Sequence, residues 1–176
     1  MTDKPRQQGP QHQCLTVTFD GRSNVIPTQC EVMVGFDPLN PPAQQQSHLF
    51  NAIWDTGATQ TVITQAVVDK LGLLPTGLTR ANTANGEHLT ETFFVAVKLP
   101  NGVGFPGMTV SRGNISGIDM LIGMDIICAG DFAITNVGGK TVMSYRVPSH
   151  KPIDFVREHN MGAHLIKSRH KNKRRR

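Results

Sequence analysis

The chain has little with which to cross-link itself, span a bilayer or hold a metal. Its 176 residues include three cysteines, Cys14, Cys30 and Cys128, scattered and odd in number. A secreted disulfide framework uses cysteines in even sets at close spacing, so that class is disfavoured, and no C-x-x-C pair suggests redox or zinc chemistry. No apolar run approaches the roughly 20 residues that a membrane-spanning helix needs. The first residues, MTDKPRQQGPQHQ, are polar and lack the apolar stretch of a signal peptide. The seven histidines are dispersed, and His159 and His164 form neither a helical i, i+4 pair nor an H-E-x-x-H motif. G-x-S-x-G, Walker and zinc-knuckle patterns are absent. The expectation is a soluble, cytoplasmic protein of a reducing compartment, with no metal and no cofactor.

Charge of one sign is scarce outside one segment. Residues 167–176 hold Lys167, Arg169, Lys171, Lys173, Arg174, Arg175 and Arg176 without an acid among them. Without those seven, eleven basic residues face thirteen acidic ones, so the net charge of +5 belongs to a tail and not to a face. Such a tail reads as a solvated, self-repelling end. It also reads as a weak, non-specific handle for nucleic acid or an acidic partner. No aromatic residue follows Phe155, so base stacking has nothing to use there.

What the sequence does have is many short strands. Leu15, Val17 and Phe19 alternate with threonines, and Cys30, Val32, Val34 and Phe36 repeat the period of two. The proline- and glutamine-rich stretch from Asp37 to Ser47 reads as a surface loop. Leu49 to Trp54 and Thr61 to Thr64 are predicted to be extended. Thr64 would cap a short helix through Leu71 with Ala66, Val67 and Leu71 inward and Gly72 as its left-handed stop. Leu78 to Leu99 reads as a long hairpin turning at Asn85-Gly86. Asn101-Gly102 marks another turn. Phe105 to Ser111 and Ile118 to Ile122 are further strands, and Asp125 to Ala129 is one helical turn. Phe132 to Thr135 and Thr141 to Val147 form a last hairpin, and residues 148–166 allow an appended helix. Many strands with little helix indicate an all-β barrel or sandwich.

The segment that carries chemistry is Ala52-Ile53-Trp54-Asp55-Thr56-Gly57-Ala58-Thr59, an apolar strand delivering Asp-Thr-Gly-Ala into a tight turn. It is followed in order by a helix-capable stretch, the hairpin with Thr83-Ala84-Asn85-Gly86 at its tip, and Leu121-Ile122-Gly123. In that order the elements resemble the retropepsin-like aspartic proteases over about residues 49–147. The resemblance implies a closed all-β acid-protease barrel with a flap hairpin and one or two short helices. The corresponding domains are a disordered segment 1–13, the protease domain 14–147, and a C-terminal extension 148–176 with its basic disordered tail.

The resemblance further implies a homodimeric aspartic endopeptidase. Two carboxylates too close for both to ionise share a proton and activate water. One Asp-Thr-Gly per chain then requires Asp55 from each of two subunits. Thr56 would reach across the axis, Gly57 would bring its N–H to the carboxylates, and Ala58 and Thr59 would lie along an extended polypeptide substrate. Thr83, Ala84, Asn85 and Gly86 would close over that substrate, and Leu121, Ile122 and Gly123 would support the loop. Retroviral members commonly place an acid at the position of Thr59 and an arginine at that of Met124; neither is here, so the interface would be held differently, with the 132–147 hairpin as its main contact. Asp125 reads as a helix-start residue and Asp119 as a turn residue. A second reading stays open: a catalytically silent retropepsin-fold dimer that binds peptides or partners. A third makes the basic tail the main function, on a protease-like body.

Overall fold

The computed structural model describes residues 11–83 and 86–161. Ten strands run in chain order as β1 (Gln13–Thr18), β2 (Pro27–Val34), β3 (His48–Trp54), β4 (Val62–Ile63), β5 (Gly77–Thr83), β6 (Gly86–Lys98), β7 (Gly104–Arg112), β8 (Met120–Ile122), β9 (Asp131–Thr135) and β10 (Val142–Val147). Helix α1 (Gln65–Leu71) follows β4, α2 (Met124–Ile127) follows β8, and residues 155–161 are helical. The all-β class expected from the alternation is the class observed.

Seven strands make one sheet in the order β2-β3-β8-β4-β7-β6-β5, and pairing of β2 with β6 closes six of them into a ring. β5 is left outside, attached to β6 alone. The length of β6 explains this. Its first part, Gly86 to Thr92, pairs with β5, while Val95 to Lys98 turns into the ring against β2. An irregularity between Val95 and Val97 marks the bend, as an extra residue does where a strand changes direction. The hairpin therefore stands off the body on one continuous strand.

The second sheet is β1-β10-β9, antiparallel throughout. Its inward residues, Met143 and Tyr145, are fully buried and continue the core of Val32, Ile63, Phe93, Val95, Met120, Ile122 and Ile126. Trp54 joins the two sheets. Its ring stacks on Phe132 with centroids 5.5 Å apart and leans on Tyr145 at 4.8 Å, and its Nε1–H donates to Thr28 Oγ1 at 3.0 Å. Aromatic pairs at such distances add to the burial of their area. Tyr145 in turn donates its hydroxyl to the Ile126 carbonyl at 2.6 Å, and burial pushes its pKa up to about 12.

Two local expectations need correction. Helix α1 buries Val67 and Val68, while Ala66 is exposed and Leu71 half-buried, because the helix meets the core one position further round than the pattern of apolar residues suggested. Gly72 does close it in the left-handed region, at φ 61°. In the hairpin, Thr83 pairs with Gly86, so Gly86 is the first residue of β6 and not part of a two-residue Asn-Gly turn. Its φ of 104° suits glycine there.

Candidate active site

The Asp55 loop is built by a crossing of strands. β8 lies between β3, to which it is parallel, and β4, to which it is antiparallel. Chain leaving β3 must therefore pass over the end of β8 to reach β4, and that passage is residues 55–61. Asp55 sits at its start, half-buried, with its N–H donating to the Ile122 carbonyl at 2.9 Å. Its Oδ1 accepts from the Gly57 N–H at 2.8 Å. The Ala58 N–H closes the turn on the Asp55 carbonyl at 3.2 Å. A charged acceptor held by a backbone donor is fixed in direction, which a catalytic carboxylate requires.

Thr56 and Gly57 are exposed beside it, and the Thr56 hydroxyl makes no hydrogen bond to another described residue. A threonine merely satisfying its own turn would be bonded within the loop. Leu121 is half-buried and Ile122 fully buried beneath the loop. Gly123 is there because nothing larger fits: a Cβ at that position would lie 2.5 Å from the Gln60 carbonyl carbon and 2.8 Å from the Thr61 nitrogen. Contacts that short would force the loop and β8 apart.

An open groove of about 480 Å³ runs past Asp55. Its floor holds Gly57, Ala58, Thr59 and Val62 with Leu121, and its outer wall is Thr79, Arg80 and Ala81 of β5. The groove thus brings together Asp55, Gly57, Ala58, Thr59 and Leu121 of the residues singled out from the sequence. Ile122 and Gly123 lie under it, and Thr83 and Gly86 are at the far end of the hairpin. Ala84 and Asn85 lie outside the described residues. Asp55 is the only carboxylate among the lining residues. Gln60, Ser111 and the β5 wall were not anticipated. The hairpin was legible, but its period of two does not say which face turns inward.

Asp125 does more than start a helix. It does stand in the first turn of α2, but its carboxylate reaches back 64 positions, with Oδ2 accepting from the Thr61 N–H at 2.9 Å and Oδ1 from the Thr61 hydroxyl at 2.8 Å. Asp119, expected as a turn residue, accepts from the Asn51 N–H at 2.8 Å and so pins the start of β8 to β3. Met124, where an arginine was noted as missing, donates its backbone N–H to the Ala58 carbonyl at 2.8 Å.

A single Asp-Thr-Gly loop over a parallel and an antiparallel neighbour, inside a closed strand ring with a projecting hairpin, defines a retropepsin-like, aspartic-protease-type site. A family model described as aspartyl protease matches residues 42–126. That span runs from the loop before β3 to α2 and takes in Asp55 and Leu121-Ile122-Gly123. No curated protein matches the sequence. Among solved structures, the chain is similar to a retropepsin-like aspartic protease from Rickettsia conorii, at 19% identity and TM-score 0.48, over 78% of this chain and 96% of that one. It is also similar to the EIAV protease complexed with the inhibitor HBY-793, at 19% identity and TM-score 0.46, over 63% and 91% of the respective chains.

Proposed function

We propose that the protein is a homodimeric aspartic endopeptidase in which each subunit supplies Asp55. The observation that carries this is the lone carboxylate at an open, strand-walled groove. One carboxylate cannot be both the base that takes a proton from water and the acid that polarises the scissile carbonyl. A second copy across a two-fold axis supplies the other role. The exposed Thr56 hydroxyl, which bonds no other described residue, supports this arrangement, since it can reach a partner's backbone.

The cycle then has four parts. An extended peptide enters under the hairpin and lies along the 55–59 loop, its main chain pairing with strand edges. The ionised Asp55 takes a proton as water oxygen attacks the peptide carbonyl, and the protonated Asp55 hydrogen-bonds the developing oxyanion. The tetrahedral species collapses as a proton passes to the departing amine. Closure of the hairpin keeps bulk water out meanwhile. Val62 and Leu121 favour apolar side chains beside the scissile bond. Because one proton must be shared, the rate should be highest below neutral pH.

The test is cleavage of a peptide library by wild type and by Asp55→Asn, with sedimentation on both. Wild type should cut and the variant should lose at least about 10³-fold in kcat, as a triad or dyad member does, while remaining dimeric. Tight peptide binding without cleavage would instead favour a silent binding module.

A further inference from the structure

We propose that Asp125, acting through Thr61, is a positioning residue that sets the Asp55 carboxylate for catalysis; this rests on the aspartic-protease reading above. The loop of residues 55–61 is anchored at its first residue by the Asp55 N–H on the Ile122 carbonyl. Its other end, Thr61, is fully buried, and both of its donors go to the one carboxylate of Asp125. The Thr61 hydroxyl oxygen also accepts from the Gly123 N–H at 3.2 Å. One side chain from α2 therefore holds the loop's end, and through Thr61 holds Gly123, the residue before α2.

The other hydrogen bonds at this end of the loop run backbone to backbone, among them the Ser111 N–H on the Thr61 carbonyl at 3.2 Å. Thr59 and Met124 cannot form an ion pair, and the Met124 N–H on the Ala58 carbonyl is a single neutral bond. Between the two anchors, Thr56, Gly57, Thr59 and Gln60 are exposed and gain no packing that would fix them. Asp125 itself is exposed. Its loss would admit water to Thr61 and slacken the loop without opening the core.

The expected signature is a fall in kcat with little change in KM. Displacing a catalytic group by about 1 Å costs on the order of 10²-fold in rate. The groove walls Val62, Leu121, Thr79 and Ala81 are held by the strand pairing of β4, β5 and β8. Asp125→Ala should lower kcat roughly 10- to 100-fold. Thr61→Val, which keeps the N–H bond and loses the hydroxyl, should lower it less. Asp125→Asn keeps one acceptor and should recover part of the rate lost in Asp125→Ala.

The measurement is kcat and KM for wild type, these three variants and Asp55→Asn, with thermal melting and sedimentation to establish that each is folded and dimeric. Asp55-dependent cleavage with a wild-type kcat in Asp125→Ala defeats the proposal alone, as does a rise confined to KM. If Asp125→Ala does not fold, Thr61→Val and Asp125→Asn decide: lowered kcat at wild-type KM in both supports the assignment, and wild-type kcat in both overturns it. Wild-type cleavage that Asp55→Asn leaves intact, or no cleavage at all, defeats the aspartic-protease reading and the proposal with it.

Discussion

Thr64 shows how one residue can serve the fold and still cost it something. Its backbone does what was expected of it, standing extended before α1 at φ −84° and ψ 167°, with its carbonyl taking the Val67 and Val68 N–H groups. Its side chain does not cap: Oγ1 is buried and bonds to no other described residue. A buried, unsatisfied hydroxyl costs about 1–3 kcal/mol. Valine has the same shape and is at ease in extended backbone. Thr64→Val should therefore stabilise the protein by about 1 kcal/mol in urea unfolding; a loss of stability would mean that the hydroxyl has an acceptor. The same scale shows what the sequence could not disclose. Asp55 was legible because Asp-Thr-Gly follows an apolar strand. The Asp125–Thr61 pair was not, because a carboxylate 64 positions away announces itself only when β8 is threaded between β3 and β4.

At the scale of elements, β9 is the strand whose surroundings call for an explanation. It pairs with β10 on one side and with no described strand on the other. Phe132 is stacked on Trp54, the residue before Asp55, and Ile134 pairs with buried Met143 yet is itself 44% exposed. The inner face of this sheet thus runs to an open edge beside the Asp55 loop, with Val137 exposed just past it. Open edges with apolar side chains invite another strand or chain. This is the ground for proposing the 132–147 hairpin as the main contact of the proposed dimer. Ile134→Glu puts like charges together across a two-fold axis while altering only a partly exposed side chain of the monomer. Sedimentation should show the variant shifted to monomer, with cleavage lost and the melting temperature of the single chain within a few degrees of wild type. A dimeric, active Ile134→Glu would place the contact elsewhere.

For the whole molecule, the order of elements was readable because each strand carries its own period of two, whereas closure of the ring was not, since nothing in β2 or β6 alone says that Val32 will lie against Val97. Long-range charge placement was equally hidden, and Asp131 shows its consequence for the proposed activity in acid. Its carboxylate accepts from the Ser149 hydroxyl, from the His150 N–H at 2.9 Å, and from the Arg146 guanidinium, through Nε at 3.0 Å and through Nη2. Those donors, Ser149 first, hold its pKa well below the usual carboxylate range. The clasp ties β9 to β10 and to the start of the segment after β10. A carboxyl depressed by folding stabilises the native state fully above its unfolded pKa of about 3.9, and that contribution fades as pH falls toward the folded value. Through the mildly acidic range in which a shared-proton dyad is competent, the clasp therefore stays intact. Melting curves of wild type and Asp131→Asn should differ by a constant amount from neutral pH down to about pH 5, and should converge below about pH 4, where the unfolded chain takes up the proton first. A gap that widened on acidification would mean that Asp131 is not held as a bonded carboxylate.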